Sequence, residues 1–349
     1  MRSTLKDLAR ETGLSVATVS LVLNKKRHKI PTVTQERIFT AAQNLNYRPN
    51  QLAVSLVKQQ SMTIGVIVPD ISKYFFSEFT LGVEEEARRS GFNIILSNSM
   101  NQWELSGECL EMLSGRCVDA IIMAPSSDTT HDRLLKLKPV IEKSHIPTIL
   151  IGRDGGELGC SFIIVNQSAG AYQAIKHLLD LGHRKIALLT GSLNLSNTQE
   201  RIEGCRRAFE EAGIAFDPSC IFEGQYDYDS GLIHAEKVAE AGYTAVFAFS
   251  DTIACGVYRT FIKKGIRIPQ DISVVGFDNV PFAQMLSVPL TTINQLAHTI
   301  GMEAAACAIR ESSVNNIAAG VAKKRIIYDP ELIERESTCP PLSREDGFC

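Results

Sequence analysis

Two sets of residues in this chain have types and spacings that could do chemistry. The first lies near the N-terminus, where Ser15 stands at a helix start and Val16, Ala17, Ser20 and Leu21 fall on one side of the stretch that follows. Small, apolar and hydroxyl side chains at the N-terminal end of a short helix suit base edges and the thymine methyl in a DNA major groove. The second set is Phe75 and Phe76, Arg153, Asn197 and Arg201, Tyr226, Ser250-Asp251 and Asp278, each following a β-branched run. Aromatic faces stack on apolar ring surface, and Arg, Asp and Asn hydrogen-bond hydroxyls, so this set suits a polar, ring-shaped ligand. Covalent or acid–base chemistry has no comparable support. There is no GxSxG elbow, Walker loop or HExxH spacing, and Glu84-Glu85-Glu86 reads as solvated helix surface. No enzyme activity, cofactor or metal site is expected.

The elements that must carry these residues can be read from periodicity. Leu5, Leu8 and Ala9 recur at helical spacing, Gly13 permits a tight turn, and Val19, Val22 and Leu23 give a second helix its apolar stripe. Pro31-Thr32 starts a third helix striped by Ile38, Ala41, Ala42 and Leu45, completing a helix-turn-helix headpiece over residues 1–50. Residues 51–61 form a hinge too short to hold a helix alone in water. Charge separates the same parts: residues 1–60 carry ten Lys/Arg against three Asp/Glu, and the remaining 289 carry 26 against 36. A cationic head on an acidic body matches a phosphate-binding module joined to something that does not itself seek DNA.

From residue 62 short apolar strands alternate with amphipathic helices. The runs at 62–69, 92–98, 119–125 and 147–152 form one series, and those at 162–166, 185–191, 244–250 and 272–278 a second. Such alternation implies two doubly wound parallel-sheet lobes, with ligands placed between them at the carboxyl ends of strands. The 44% hydrophobic and 7% aromatic content describes a globular protein. No apolar run reaches membrane length and no apolar signal region opens the chain, so a cytoplasmic location and no membrane partner are expected. Nine scattered cysteines without a CxxC pair read as reduced packing residues.

In their order and spacing, LKDLARETGLSVATVSLVLN (5–24), NYRPNQLAVSL (46–56), IGVIVPDISKYFFSEFTLGVE (64–84), LGHRKIALLTG (181–191), IPQDISVVGFDN (268–279) and PLTTINQ (289–295) resemble the lactose-repressor/galactose-repressor (LacI/GalR) family. That resemblance covers nearly the whole chain. It implies a body at 62–341 like periplasmic sugar-binding proteins: an N-subdomain at about 62–161 and 291–324, a C-subdomain at about 162–290 and 325–341, and a tail at 342–349. By the same similarity Val16, Ala17 and Leu21 would meet bases, while Asn24, Arg27 and Tyr47 would hold the backbone. Thr4, Ser15, Ser20 and Asn50 would complete the DNA-facing set, and Leu56 matches a hinge leucine wedged into the minor groove. Phe76, Asn197, Arg201, Tyr226 and Asp278 fall on the family's effector positions, and Arg153 matches an arginine common in its sugar-responsive members. Val54, Val57, Ser250 and Asn166-Gln167 depart from common residues at their positions. No leucine-rich heptad follows residue 341. The implied partners are a pseudo-palindromic double-stranded operator, a small-molecule effector, most simply a sugar, and a second copy in a homodimer. The alternatives are a solute receptor without DNA function and a regulator controlled by a protein co-regulator.

Overall fold

A computed structural model of the chain describes residues 3–23, 30–47, 60–313 and 322–342. Two compact units divide it, Met1–Met62 and Thr63–Cys349. In the first, α1 (Leu5–Thr12) begins with a reciprocal capping box. The Thr4 hydroxyl accepts from the Asp7 amide at 3.3 Å, and the Asp7 carboxylate accepts from the Thr4 amide at 2.9 Å. Gly13, at φ +65°, supplies the left-handed residue that turns the chain. The Ser15 hydroxyl then caps α2 (Val16–Leu23) by accepting from the Thr18 amide at 3.1 Å. With α3 (Thr32–Asn44), these helices bury Leu8, Val19, Val22, Ile38 and Ala41 in a shared core, with Leu45 and Tyr47 against it. Helices of eight residues are marginal alone, so this packing holds them. The sequence candidates Asn24, Arg27, Asn50 and Leu56, and most of the hinge, lie outside the described residues.

The second unit contains two six-stranded sheets. The first uses β1 (Thr63–Val68), β2 (Asn93–Asn98), β3 (Ala120–Met123), β4 (Thr148–Ile151), β5 (Ser161–Val165) and β11 (Arg325–Tyr328), ordered β2-β1-β3-β4-β5-β11 and wholly parallel. The second uses β6 (Ile186–Thr190), β7 (Ile221–Glu223), β8 (Ala245–Ala248), β9 (Ser273–Phe277), β10 (Thr291–Asn294) and β12 (Glu331–Ile333), ordered β7-β6-β8-β9-β10-β12. Only β12 runs antiparallel to its neighbour in this sheet. Helices α4 (Tyr74–Arg89), α5 (Trp103–Gly115), α6 (His131–Leu135), α7 (Lys138–Ser144) and α12 (Ala297–Ser312) belong to the first lobe. Helices α8 (Gln167–Asp180), α9 (Ser196–Glu211), α10 (Tyr228–Glu240) and α11 (Asp251–Lys264) belong to the second. Apolar clusters cover both faces of each sheet, which is why the central strands are continuous apolar runs. In the first lobe α4 and α12 touch backbone to backbone: a Cβ on Gly82 would lie 2.1 Å from the His298 carbonyl oxygen.

Three sequence expectations need correction. The run at 162–166 does not open the second series, because β5 pairs with β4 and β11 in the first sheet. Residues 291–294, expected in the N-subdomain, belong to the other lobe, because β10 pairs with β9 in the second sheet. Residues 325–328, expected in the C-subdomain, instead form β11, which closes the first sheet. The chain therefore changes lobes near residues 166, 295 and 329, each about four residues later than 162, 290 and 325. Each crossover comes after its strand has completed the sheet it left. Strand order depends on partners distant in sequence, and periodicity does not report them.

Candidate functional site

On the headpiece, α2 turns Val19 and Val22 inward and leaves Val16 and Leu21 exposed, at 42% and 44%. Ala17 is exposed beside them and Ser20 is half-buried. Two large apolar side chains in water next to a closed mini-core form a surface suited to a partner. Thr4 and Ser15 serve as helix caps, and half-buried Tyr47 packs on the core with its phenol pKa raised by burial.

In the body, segments that follow the strands of both sheets enclose a cleft of about 540 Å³. Phe75, Phe76, Arg153, Asn197, Arg201 and Tyr226 all line it, as do Ser250 and Asp278. The second lobe supplies a floor in which the polar groups are already bonded to one another. Arg201, 3% exposed on α9, lays its guanidinium 3.6 Å over the Phe277 ring and donates to the Phe249 carbonyl. Its Nε donates to Gln167 Oε1 at 2.8 Å, and Gln167 Nε2 donates to Gln295 Oε1 at 2.9 Å. Gln295 Nε2 then donates to Asp278 Oδ1 at 2.5 Å. This relay joins the charged ends of the floor through Gln167 and Gln295, which stand at two of the lobe crossovers.

Asp278 adopts φ +114° and Asn279 φ +55°, uncommon values for residues with a Cβ, directly where the sheet meets the cleft. Burial raises the Asp278 carboxyl to about 6, against the opposing pull of Arg201, the Gln295 bond and Lys73. Tyr226 bonds Thr198 through its hydroxyl at 2.9 Å, and its phenol pKa is also raised by burial. Its ring lies so close to Gly191 that a Cβ there would sit 2.2 Å from it. The Ser250 hydroxyl caps α11 by accepting from the Ile253 amide at 3.1 Å.

Asp251 departs from expectation. It is 0% exposed and lies behind the cleft, while its neighbours Ser250 and Thr252 line it. Its carboxylate accepts from the Thr292 hydroxyl at 2.6 Å and the Val280 amide at 2.8 Å, tying α11 to β10 and to the segment after β9. Burial and the charge of Asp278 lift its pKa to about 8.

The first lobe contributes a different wall. Phe75 meets Phe76 edge to face at 5.2 Å and stacks on Phe79 at 6.3 Å. Lys73 reaches across the cleft to donate to the Tyr226 carbonyl at 3.3 Å. Arg153 donates to the Gly152 carbonyl at 2.8 Å; burial lowers its pKa, and Glu200 of the second lobe opposes that shift. Sequence reasoning missed Asp70, Asn101 and Ser127 on this wall, and Ser192, Gln225 and Gln295 opposite. All six follow strand ends, the signal that found the others. Asn101 and Ser127 clamp each other through bonds of 2.7 and 2.8 Å.

Among the described residues no group of His, Cys, Asp or Glu could hold a metal ion, and no helix is long and apolar enough to cross a membrane. A helix-turn-helix head and a two-lobed, ligand-cleft body together define the class of DNA-binding regulators. Residues 4–50 match the family described as bacterial regulatory proteins, lacI family, and residues 175–338 match a periplasmic binding protein-like domain. The HTH-type transcriptional repressor PurR of Vibrio atlanticus is 37% identical over 96% of this chain and 98% of its own. The lac repressor dimer bound to operator and the anti-inducer ONPF superposes with TM-score 0.86 at 25% identity, covering 97% of this chain and all of that one. A complex of the transcriptional regulator CelR with cellobiose gives TM-score 0.69 at 26% identity, covering 96% and 100%. The chain belongs to the lacI family of bacterial regulatory proteins, which are transcription regulators rather than enzymes.

Proposed function

We propose that the protein is a homodimeric repressor acting in the cytoplasm, whose grip on a pseudo-palindromic operator is released when a sugar occupies the cleft. The observation that carries this reading is the relay from Arg201 through Gln167 and Gln295 to Asp278. Arg201 and Asp278 offer the paired donor and acceptor that fix hydroxyls, while Phe75, Phe76 and Tyr226 offer ring faces. The two glutamines stand where the chain changes lobes, so a ligand held by the floor loads the crossovers directly. The cellobiose in the CelR neighbour is a precedent for a sugar in a cleft of this architecture.

Each head places Val16, Ala17 and Leu21 in the major groove of one half-site, and the excess positive charge of residues 1–60 draws phosphates. Closing the cleft turns one lobe against the other and changes the separation of the paired hinges, where Leu56 acts as the wedge. Complete reversal of occupancy requires that the sugar prefer the released state by about 5.5 kcal/mol. The test is a mobility shift with the full chain on operators selected from random DNA, with and without sugars. Sequence-selective binding weakened by a sugar supports the reading. Equal binding to operator-like and random DNA under every condition overturns it.

A further inference from the structure

We propose that Arg153 and Glu200 are the two halves of a latch, an ion pair between the lobes that is not made in this structure and forms when the cleft closes. The direction of its effect on DNA, though not the latch itself, rests on the function proposed above. Arg153 follows β4 in the first lobe, Glu200 stands in the second turn of α9 in the second, and both line the main cleft. Arg153 also borders a smaller space of about 350 Å³, with the loop after β3 on one side and Asn194, Ser196 and Gln199 on the other. Glu200 follows Gln199 directly, so both charges stand where the two spaces join.

The pair is singled out because the other charges around these spaces already have partners. On the first lobe Arg133 donates to Asp128 at 2.6 Å, His131 lies 3.5 Å from Glu157, and Asp154 accepts from the Gly156 amide at 2.8 Å. Asp70 accepts from the Ser72 hydroxyl at 2.7 Å, and Lys73 donates to the Tyr226 carbonyl. On the second lobe Arg201 and Asp278 end the glutamine relay, and Asp227 accepts from the Ser230 amide at 2.9 Å. Among the described residues Arg153 bonds only the carbonyl of its neighbour Gly152, and Glu200 has neither a hydrogen bond nor an ion pair.

The two charges nevertheless act on each other across the gap. Arg153 is the leading charge on the Glu200 carboxyl, ahead of Arg201, which adjoins it in sequence, and Glu200 acts in turn on Arg153. Burial opposes both charges, raising the Glu200 carboxyl and lowering the Arg153 guanidinium. Each has lost water without gaining a partner, which favours a motion that brings them together. An arginine–carboxylate contact is short and oriented, so it separates a closed cleft from an open one sharply. A contact made in one state alone shifts the balance toward that state. Elsewhere in the cleft Lys73 already spans from the first lobe to the second.

The latch is tested on the full chain with no effector present. A carbodiimide couples a carboxylate to an amine in direct contact. In Arg153→Lys it should join positions 153 and 200, seen as a cross-linked tryptic peptide that disappears when Glu200→Gln is added. Absence of that peptide while Lys176 and Asp180, 3.2 Å apart, do couple overturns the latch. The second measurement is affinity for an operator selected from random DNA. Glu200→Lys, which opposes two cations, should change it at least about threefold, and exchanging the charges by Arg153→Glu with Glu200→Arg should restore it to within about a factor of two. An exchange that restores nothing, or a Glu200→Lys variant that matches the parent, overturns the latch. If closure releases DNA, Glu200→Lys tightens binding. Weakened binding that the exchange restores keeps the latch and overturns release on closure.

Discussion

The two lobes share a strand order but treat the cleft between them in opposite ways. In the second, Arg201, Asp278, Gln295 and Gln167 bond one another, and Asp251 braces the floor from behind. In the first, apart from Lys73, which reaches across to the Tyr226 carbonyl, the polar groups at the cleft have local partners: Asp70 with Ser72, Asn101 with Ser127, Arg153 with the Gly152 carbonyl. Its main offer is the half-buried pair Phe75 and Phe76. A floor with prepositioned charges loses little freedom when it takes a ligand, and an aromatic wall adds contact area only as it closes. On the proposed function, orientation would belong to the second lobe and closure to the first.

Arg201→Ala should break this division most severely. It strands the Phe249 carbonyl and the Gln167 amide oxygen and removes a cation that acts on Asp278. Leaving such buried groups unpaired costs about 3 kcal/mol, and the response of operator binding to sugar should vanish. Arg201→Lys should fail too, because an ammonium cannot both stack flat on Phe277 and donate in two directions. A variant that still releases operator in response to sugar would show that the floor is not the binding surface. Phe76→Ala, on the opposite wall, should weaken sugar binding about tenfold through lost ring contact while barely lowering the melting temperature. A large stability loss there would mean that the wall is core rather than lid. Gln295→Leu cuts the relay between the two ends of the floor. The sugar should still bind, but its effect on operator affinity should shrink by about 1–2 kcal/mol, read by titrating operator at zero and saturating sugar.

What the sequence disclosed follows the reach of its signals. Eight strands were visible as β-branched runs: seven are covered on both faces and must be apolar throughout, and the partly exposed edge strand β2 shows through Ile94, Ile95 and Leu96. β10 was not recognised as a strand because Thr291 and Thr292 are polar in type although both are buried. β7 and β12, at three residues each, are too short to show a period. The eight cleft residues named from the sequence were found because strand ends meet there. The relay was not, since Gln167 and Gln295 are separated by 128 positions and neither amide is unusual alone. Asp251, expected at the cleft, lies behind it because Ser250, Asp251 and Thr252 open one helix turn, and only the packed register decides which points inward.

The smallest effect belongs to that inward carboxylate, and it separates a brace from a ligand contact. Folding raises the pKa of Asp251 to about 8 and of Asp278 to about 6. The folded state thus holds these protons more tightly than the unfolded chain. The stability they confer is complete below the ordinary carboxylate value near 3.8 and is lost as pH rises through 6 and then 8. His177, His183 and His234 shift the other way, so their contribution is lost only as pH falls below about 6.5. Between pH 6.5 and 8 the slope that remains for Asp251 is downward. Asp251→Asn cannot ionise, yet its amide oxygen can accept from the Val280 amide while the Thr292 hydroxyl reverses to accept from its NH2. Its melting temperature should therefore fall less than that of the parent between pH 6.5 and 8, with sugar affinity unchanged at the lower pH. If the slopes match, Asp251 is not the titrating brace. If instead the slope flattens and sugar affinity collapses, the carboxylate reaches the ligand after all, and the floor is one residue deeper than its lining suggests.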